Sequence, residues 1–310
     1  MLVRIALGAI ALAIATTLAI PGAVAKYPEK TITFIIPFSP GGGFDTYVRA
    51  LVPVMEKRLG VTVVPKNMPG AGGRKGAAFL YKSKPDGYRI SIMNLPGKAI
   101  AAIKGGKKGV GYDLRKFTWL GQIASDSYVI AVAGKSKIQS IADLKKLGRT
   151  IKTAGTGKGS SSYVVSQIAG NILGLKLKLV TGYKGSSCMS IAVIRGDTDI
   201  AFFAYRSYSK FAKSGDLRAI AALDEKGAAA LGKPELSKLR IHRLVAAPPG
   251  LPSGIKKTLE DALFASINDA GFKKWAKKAR RPLAALKGKA SEKLIDELVA
   301  FYTGHKDKFK

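Results

Sequence analysis

The sequence predicts an α/β protein, and three observations carry that prediction. Short β-branched apolar runs alternate with segments whose apolar residues recur at helical spacing. Glycine-rich turns join a run to a helix at Pro37–Gly43, Ala154–Gly159 and Gly182–Gly185. The 310 residues are also enough for two domains of ordinary size, with no internal repeat. Repeated strand–helix units imply parallel sheets covered by helices. Ligands of such sheets bind beyond the carboxyl ends of the strands, and all three glycine-rich turns are at that end.

The first unit is the clearest. Ile32 to Ile36 is an apolar β-branched run that Pro37 and the following glycines stop. Val48, Leu51, Val52, Met55 and Leu59 then mark one face of a helix, and Gly60 stands at a left-handed C-cap position. Asp45 reads as the N-cap. A helix start reached through glycines presents free N–H groups and the positive end of the helix dipole, which together favour an anion.

Further on, Val61–Val64 reads as a strand, Asn67–Gly73 as a loop, Gly76–Ser83 as a helix, and Pro85-Asp86-Gly87 as a turn. Tyr88–Met93 is an apolar strand ending in Asn94-Leu95-Pro96-Gly97, and Gly105–Gly111 a glycine- and lysine-rich loop. Trp119–Ala133 is β-rich and leads to a helix at Ile141–Leu147. Strands follow at Thr150–Thr153, Leu175–Thr181, Asp199–Phe203 and Arg218–Leu223. Helices open at Ser160 and Ser186. Phe202 and Phe203 point to opposite faces of their strand, so at least one belongs to the core. Ile241–Ala247 reads as a last strand before Pro248-Pro249-Gly250. The remainder is helical, with Ser253 as the cap of Gly254–Asn268, followed by helices around Phe272–Trp275 and Ser291–Phe301.

Composition narrows the function. Residues 5–20 are almost entirely apolar, Arg4 precedes them, and Ala23-Val24-Ala25 follows a Pro-Gly break. This pattern is a cleaved secretory leader, residues 1–25. No later stretch is long and apolar enough to span a membrane. Cys188 is the one cysteine and reads as a small buried hydrophobe, so no internal disulfide or cysteine metal site exists. With only His242 and His305, a zinc site or histidine-based triad has little to work with. There is no Gly-x-Ser-x-Gly elbow. No metal, no cofactor and no enzymatic activity are expected. The formal charge of +32 points to anionic partners. Lysines are spread along the whole chain, and no nucleic-acid motif accompanies them, so nucleic acid is excluded. A protein whose charge itself serves adsorption to the envelope surface is a rival reading.

Several of these turns carry a family signature in fixed order: Tyr27-Pro28, Pro37-Phe38-Ser39-Pro40-Gly41-Gly42-Gly43-Phe44-Asp45, Asn67-Met68-Pro69-Gly70-Ala71-Gly72-Gly73 with Gly76, and Lys84-Pro85-Asp86-Gly87-Tyr88. Tyr112-Asp113 with Phe117, Tyr183-Lys184-Gly185-Ser186, Gly196-Asp197 and Asp199 follow. In these segments the chain resembles the extracytoplasmic solute receptors of tripartite tricarboxylate transporters, the Bug/TctC-like family, over essentially all of its length after the leader. The resemblance implies a type II periplasmic binding protein: two α/β domains, residues 26–126 plus 245–310 and residues 127–244, joined by crossovers at Trp119–Ala133 and Ile241–Ala247. They would close on a ligand in the cleft between them. It implies a periplasmic monomer that hands a small organic carboxylate to permease subunits in the membrane. A ligand sensor uncoupled from transport is the alternative.

On that reading the glycine amides of Gly41, Gly42 and Gly43 and the hydroxyl of Ser39 hold a carboxylate. Phe38 and Phe44 wall the cleft. Ser160, Ser161 and Ser162 add hydroxyls and amides at a second helix start. Lys184 is a charge partner, Tyr205 closes the pocket, and Asn94 borders it. Tyr163 stands where many members have histidine, and Ala204-Tyr205 where many have an acid. Fewer acids and more aromatics suit a bulkier or aromatic carboxylate.

Overall fold

The structure is a computed structural model that describes residues 27–99, 110–158 and 160–308. The leader and most of the Gly105–Gly111 loop lie outside the described residues.

Two mixed sheets share one long strand. The chain opens with β1 (Ile32–Ile36), α1 (Gly43–Leu59), β2 (Val63–Asn67), α2 (Arg74–Tyr81) and β3 (Arg89–Leu95). Strand β4 (Thr118–Ala133) follows, then α3 (Ile141–Lys146), β5 (Ile151–Ala154), α4 (Ser161–Ile172), β6 (Leu177–Val180) and α5 (Ser186–Arg195). Next come β7 (Ile200–Ala204), α6 (Tyr205–Ala212), β8 (Leu217–Ala222), α7 (Glu225–Ala230) and β9 (Arg240–Ala247). The chain finishes with α8 (Ser253–Ile267), α9 (Ala270–Lys278), β10 (Leu286–Lys287) and α10 (Gly288–Thr303).

The strand order is β2-β1-β3-β9-β4-β7-β5-β6, with β8 and β10 also paired to β4. The 16 residues of β4 reach roughly 50 Å at strand rise. Thr118–Ser127 pair with β9, and Tyr128–Ala133 pair with β7 and β8. The expectation of parallel sheets holds only where consecutive strand–helix units pair: β1 with β2 and β3, and β5 with β6 and β7. Around β4 and β9 the pairing is antiparallel, because these strands run back through the sheets instead of following a crossover helix. A bulge at Gly121 lets β10 approach. A Cβ there would stand 2.6 Å from the Leu286 carbonyl oxygen, and φ is +157°.

Helix α1 buries Tyr47, Val48, Leu51, Met55 and Leu59 against the first sheet, and Gly60 ends it in the left-handed conformation. Each such side chain contributes about 1.5–3 kcal/mol on burial. The main core runs through both sheets, and a smaller one packs Val129, Ala131, Phe203 and Leu217 against Met189 and Val193 of α5. Phe202 belongs to the first core and Phe203 to the second, as strand alternation requires.

Four local expectations change. Asp45 is not the N-cap of α1. Gly42 holds that place, and Asp45 in the first turn accepts the Gly41 N–H at 2.9 Å. Ser253 begins α8 without capping it, because Pro252 occupies the cap position. Asn67 and Asn94 are the strand ends of β2 and β3, not loop residues. Cys188 is exposed on α5, whose buried face is formed by Met189, Ser190, Ala192 and Val193. Helix α6 has no fully buried residue, which is why its apolar pattern was too thin to read.

Candidate functional site

A cleft opens where the carboxyl ends of strands from the two sheets face each other. It encloses about 560 Å³, counting its open mouth. One wall is the β1–α1 turn (Phe38, Gly42, Gly43, Phe44) with Asn94 at the end of β3. The other is the β5–α4 turn (Thr156, Ser160, Ser161, Ser162), the start of α5 (Gly185, Ser186, Met189) and the end of β7 (Phe202, Phe203, Ala204). Tyr128, Ser207, Ile241 and Arg243 complete it. The walls come close at Gly43: a Cβ there would stand 3.0 Å from Ser207 Oγ and 3.6 Å from Arg243 Nη2.

Four helices start at this cleft, α1, α4, α5 and α6, and their first-turn N–H groups have no partner inside the helix. The caps of α1 and α5, Gly42 and Gly185, offer no side-chain acceptor. Ser160 caps α4, its hydroxyl accepting the Tyr163 N–H at 3.2 Å and lying 3.0 Å from Ser162 Oγ. Ser161 Oγ accepts from Asn94 Nδ2 and from the Gly97 N–H, both at 3.3 Å, and so ties one wall to the other. Asn94 Oδ1 and Thr156 Oγ1 are buried without a partner.

Arg243 is the centre of the site's electrostatics. It comes from β9, which pairs with both β3 and β4. Its side chain is 1% exposed, and its Nε and Nη1 have no hydrogen-bond partner. The guanidinium lies 5.4 Å from the Phe44 ring centre and 4.8 Å from that of Tyr47, at cation–π distance. No carboxylate reaches ion-pair distance of it among the described residues. Asp126, buried on β4, accepts the Arg206 N–H at 3.3 Å. Burial pushes its carboxyl above the usual range, opposed by the charge of Arg243. Tyr47 donates its hydroxyl to the Pro282 carbonyl at 2.7 Å, which holds its ring in place.

Of the residues expected at the site, Phe38, Gly42, Gly43, Phe44, Asn94, Ser160, Ser161 and Ser162 line the cleft. Four do not. The N–H of Gly41 is taken by Asp45, whose carboxylate is also held by Arg49 and Asn67. Ser39 lies outside the lining. Lys184 stands in an adjoining recess with Gly70–Gly73, which shares Phe38 and Thr156 with the cleft. Tyr205 is 40% exposed and faces Tyr208 and Arg206 at the start of α6. Beside that recess Lys98 is fully buried and donates to the Gly72 carbonyl at 3.0 Å. Burial, and then Arg74, push its amine down to about 7. Sequence reasoning missed Arg243. Its signal was a basic residue inside the apolar run Ile241–Ala247, hidden by the abundance of surface cations.

A family model described as tripartite tricarboxylate transporter family receptor matches residues 47–300. The chain is similar to Protein BugT of Bordetella pertussis, 26% identical over 249 residues, covering 78% of this chain and 76% of BugT. Its fold is similar to that of a solved periplasmic transporter, with 26% identity, a TM-score of 0.80, and coverage of 90% and 96%. It is also similar in fold to MatC from Rhodopseudomonas palustris, solved with bound malate, at 20% identity, a TM-score of 0.81, and coverage of 90% and 100%. The fold is thus that of the two-domain periplasmic binding proteins, and the chain belongs to the tripartite tricarboxylate transporter receptor family.

Proposed function

We propose that this protein is a periplasmic receptor that captures a small organic carboxylate in the cleft and delivers it to a tripartite tricarboxylate permease. One observation carries the ligand class: a guanidinium of the cleft lining keeps two buried nitrogens without a hydrogen-bond partner, and no carboxylate among the described residues stands at ion-pair distance from it. A buried unpaired charge is strongly unfavourable. A ligand carboxylate supplies the missing charge and accepts two N–H groups at once. The amides at the starts of α1 and α5 add neutral donors. The malate held by MatC belongs to the same chemical class.

On this reading residues 1–25 are removed on export, and the receptor works as a monomer. Its two domains divide near residues 126 and 245, close to where β4 passes from pairing with β9 to pairing with β7. The domains close on the ligand. The recess holding Lys184 and the Gly70–Gly73 loop adjoins the rim of that closure.

The test is Arg243→Met, followed by calorimetry and thermal unfolding with a panel of organic acids. Without ligand the variant should be more stable than the wild type by about 1–4 kcal/mol, since an uncompensated charge has been removed. Its affinity for any bound acid should fall by about 2–5 kcal/mol. Unchanged acid binding in the variant would overturn the assignment. Delivery is read separately, as receptor-dependent uptake of the same acid into vesicles carrying the permease.

A further inference from the structure

We propose that the ligand is an aromatic monocarboxylate, its carboxylate on Arg243 and its ring among the phenylalanines of the two walls. This rests on the reading of the cleft as a carboxylate site and narrows it. Two features of the lining carry the proposal: the number of charges and the placement of rings.

Arg243 is the one charged side chain among the described residues that line the cleft. A second carboxylate would therefore meet only neutral donors, which hold a charge less strongly than a cation does. Ser160 Oγ accepts the Tyr163 N–H and contacts Ser162, while Ser161 Oγ accepts from Asn94 and Gly97. Lys184 lies in the adjoining recess. A charged group brought into an apolar space without a partner is strongly disfavoured. The far end of the ligand is accordingly uncharged.

The rings come from both sides. Phe38 and Phe44 form one wall, with centroids 4.9 Å apart and planes 32° from each other. On the opposite wall Phe202 and Phe203 border the cleft at the end of β7, and strand alternation lets only one of the two rings face it. The guanidinium sits 5.4 Å from the Phe44 ring centre, so a carboxylate on Arg243 places the ligand body directly beside that wall. Aromatic side chains favour offset or edge contact with a further ring over contact with an alkyl chain of equal area. A pocket that is mostly apolar and fixes orientation through one polar anchor is the usual form for such ligands. The serine hydroxyls then serve ring substituents or ordered water, not a second charge.

Titration calorimetry on the exported chain separates the possibilities. The probes are benzoate and 3-phenylpropanoate, their neutral amides, cyclohexanecarboxylate, malate and adipate. The expected result is that at least one aromatic acid binds ten-fold or more tightly than malate and adipate. It should also bind several-fold more tightly than cyclohexanecarboxylate, and its amide should lose at least ten-fold. Tighter binding of malate or adipate would overturn the aromatic class while leaving the carboxylate reading in place. An amide that binds as well as its acid would overturn the pairing with Arg243. Equal binding of cyclohexanecarboxylate would remove the role of the rings. If none of the acids bound, this proposal and the carboxylate reading would fall together.

Discussion

Arg243 and His242 are neighbours on β9 and face opposite sides of the strand, with opposite consequences. Arg243 turns toward the cleft with donors left over. His242 turns inward, where its Nδ1 lies 2.9 Å from Gln122 Oε1. Gln122 gives its Nε2 hydrogen to the Ala284 carbonyl, so its oxygen accepts and His242 is the Nδ1–H tautomer. Burial, then the charges of Arg240 and Arg243, push His242 down to about 4. An unfolded chain binds a proton at this histidine below pH 6.5, while the folded chain does not until about pH 4. Stability is therefore lost as pH falls from 6.5 towards 4, by about 3 kcal/mol from this residue. Urea unfolding at pH 7 and at pH 4.5 should show that loss. His242→Gln should flatten the difference between the two conditions. A wild-type and a variant with equal pH dependence would remove His242 from the account.

At the scale of elements, the start of α1 shows how a charge orders one wall of the cleft without lining it. Asp45 joins three pieces of chain: it accepts from the Gly41 N–H, from Arg49 Nε and from Asn67 Nδ2, each at 2.9 Å. Asn67 Nδ2 also bonds the Phe38 carbonyl at 2.8 Å. The glycine turn is thereby held open in front of the helix, with Gly42 and Gly43 at the cleft. Replacing Asp45 by Ala should lower unfolding free energy by about 1–3 kcal/mol, because the Asn67 amide and the Gly41 N–H lose their partner. Ligand affinity should fall less than in the Arg243 variant, since Asp45 does not line the cleft. Chemical denaturation and calorimetry on the same sample would check both parts. An affinity loss as large as that of Arg243→Met would mean that the carboxylate acts on the ligand directly.

For the whole molecule, the charge of +32 acts at long range and Arg243 at short range. Surface lysines attract an anion from solution, but salt screens that attraction over about 10 Å at 0.1 M. A buried pair is screened far less. Stopped-flow binding should therefore show an association rate that falls several-fold between about 0.01 and 0.5 M salt, with a dissociation rate that hardly moves. If dissociation sped up in proportion instead, the acid would be held on the surface, as the adsorption reading requires.

Much of this was legible in sequence because it depends on local pattern. The apolar spacing of α1, the glycine stop at Gly60 and the serine cap of α4 each follow from residues a few positions apart. So did the eight expected residues that line the cleft, since strand–helix turns put their glycines and serines at one end of the sheets. The pairing of β4 and β9 was not legible, since register between strands more than a hundred residues apart leaves no local mark. Nor were the fates of Gly41, Ser39, Lys184 and Tyr205, which depend on what stands beside each of them in space. Sequence by itself determined the class of fold, the glycine and serine turns and the expectation of an anionic ligand. Tertiary structure alone decided which cation lines the cleft. Burial in the cleft lining separates Arg243 from the surface cations and from buried Lys98, and that placement is a property of the packed molecule, not of any stretch of it.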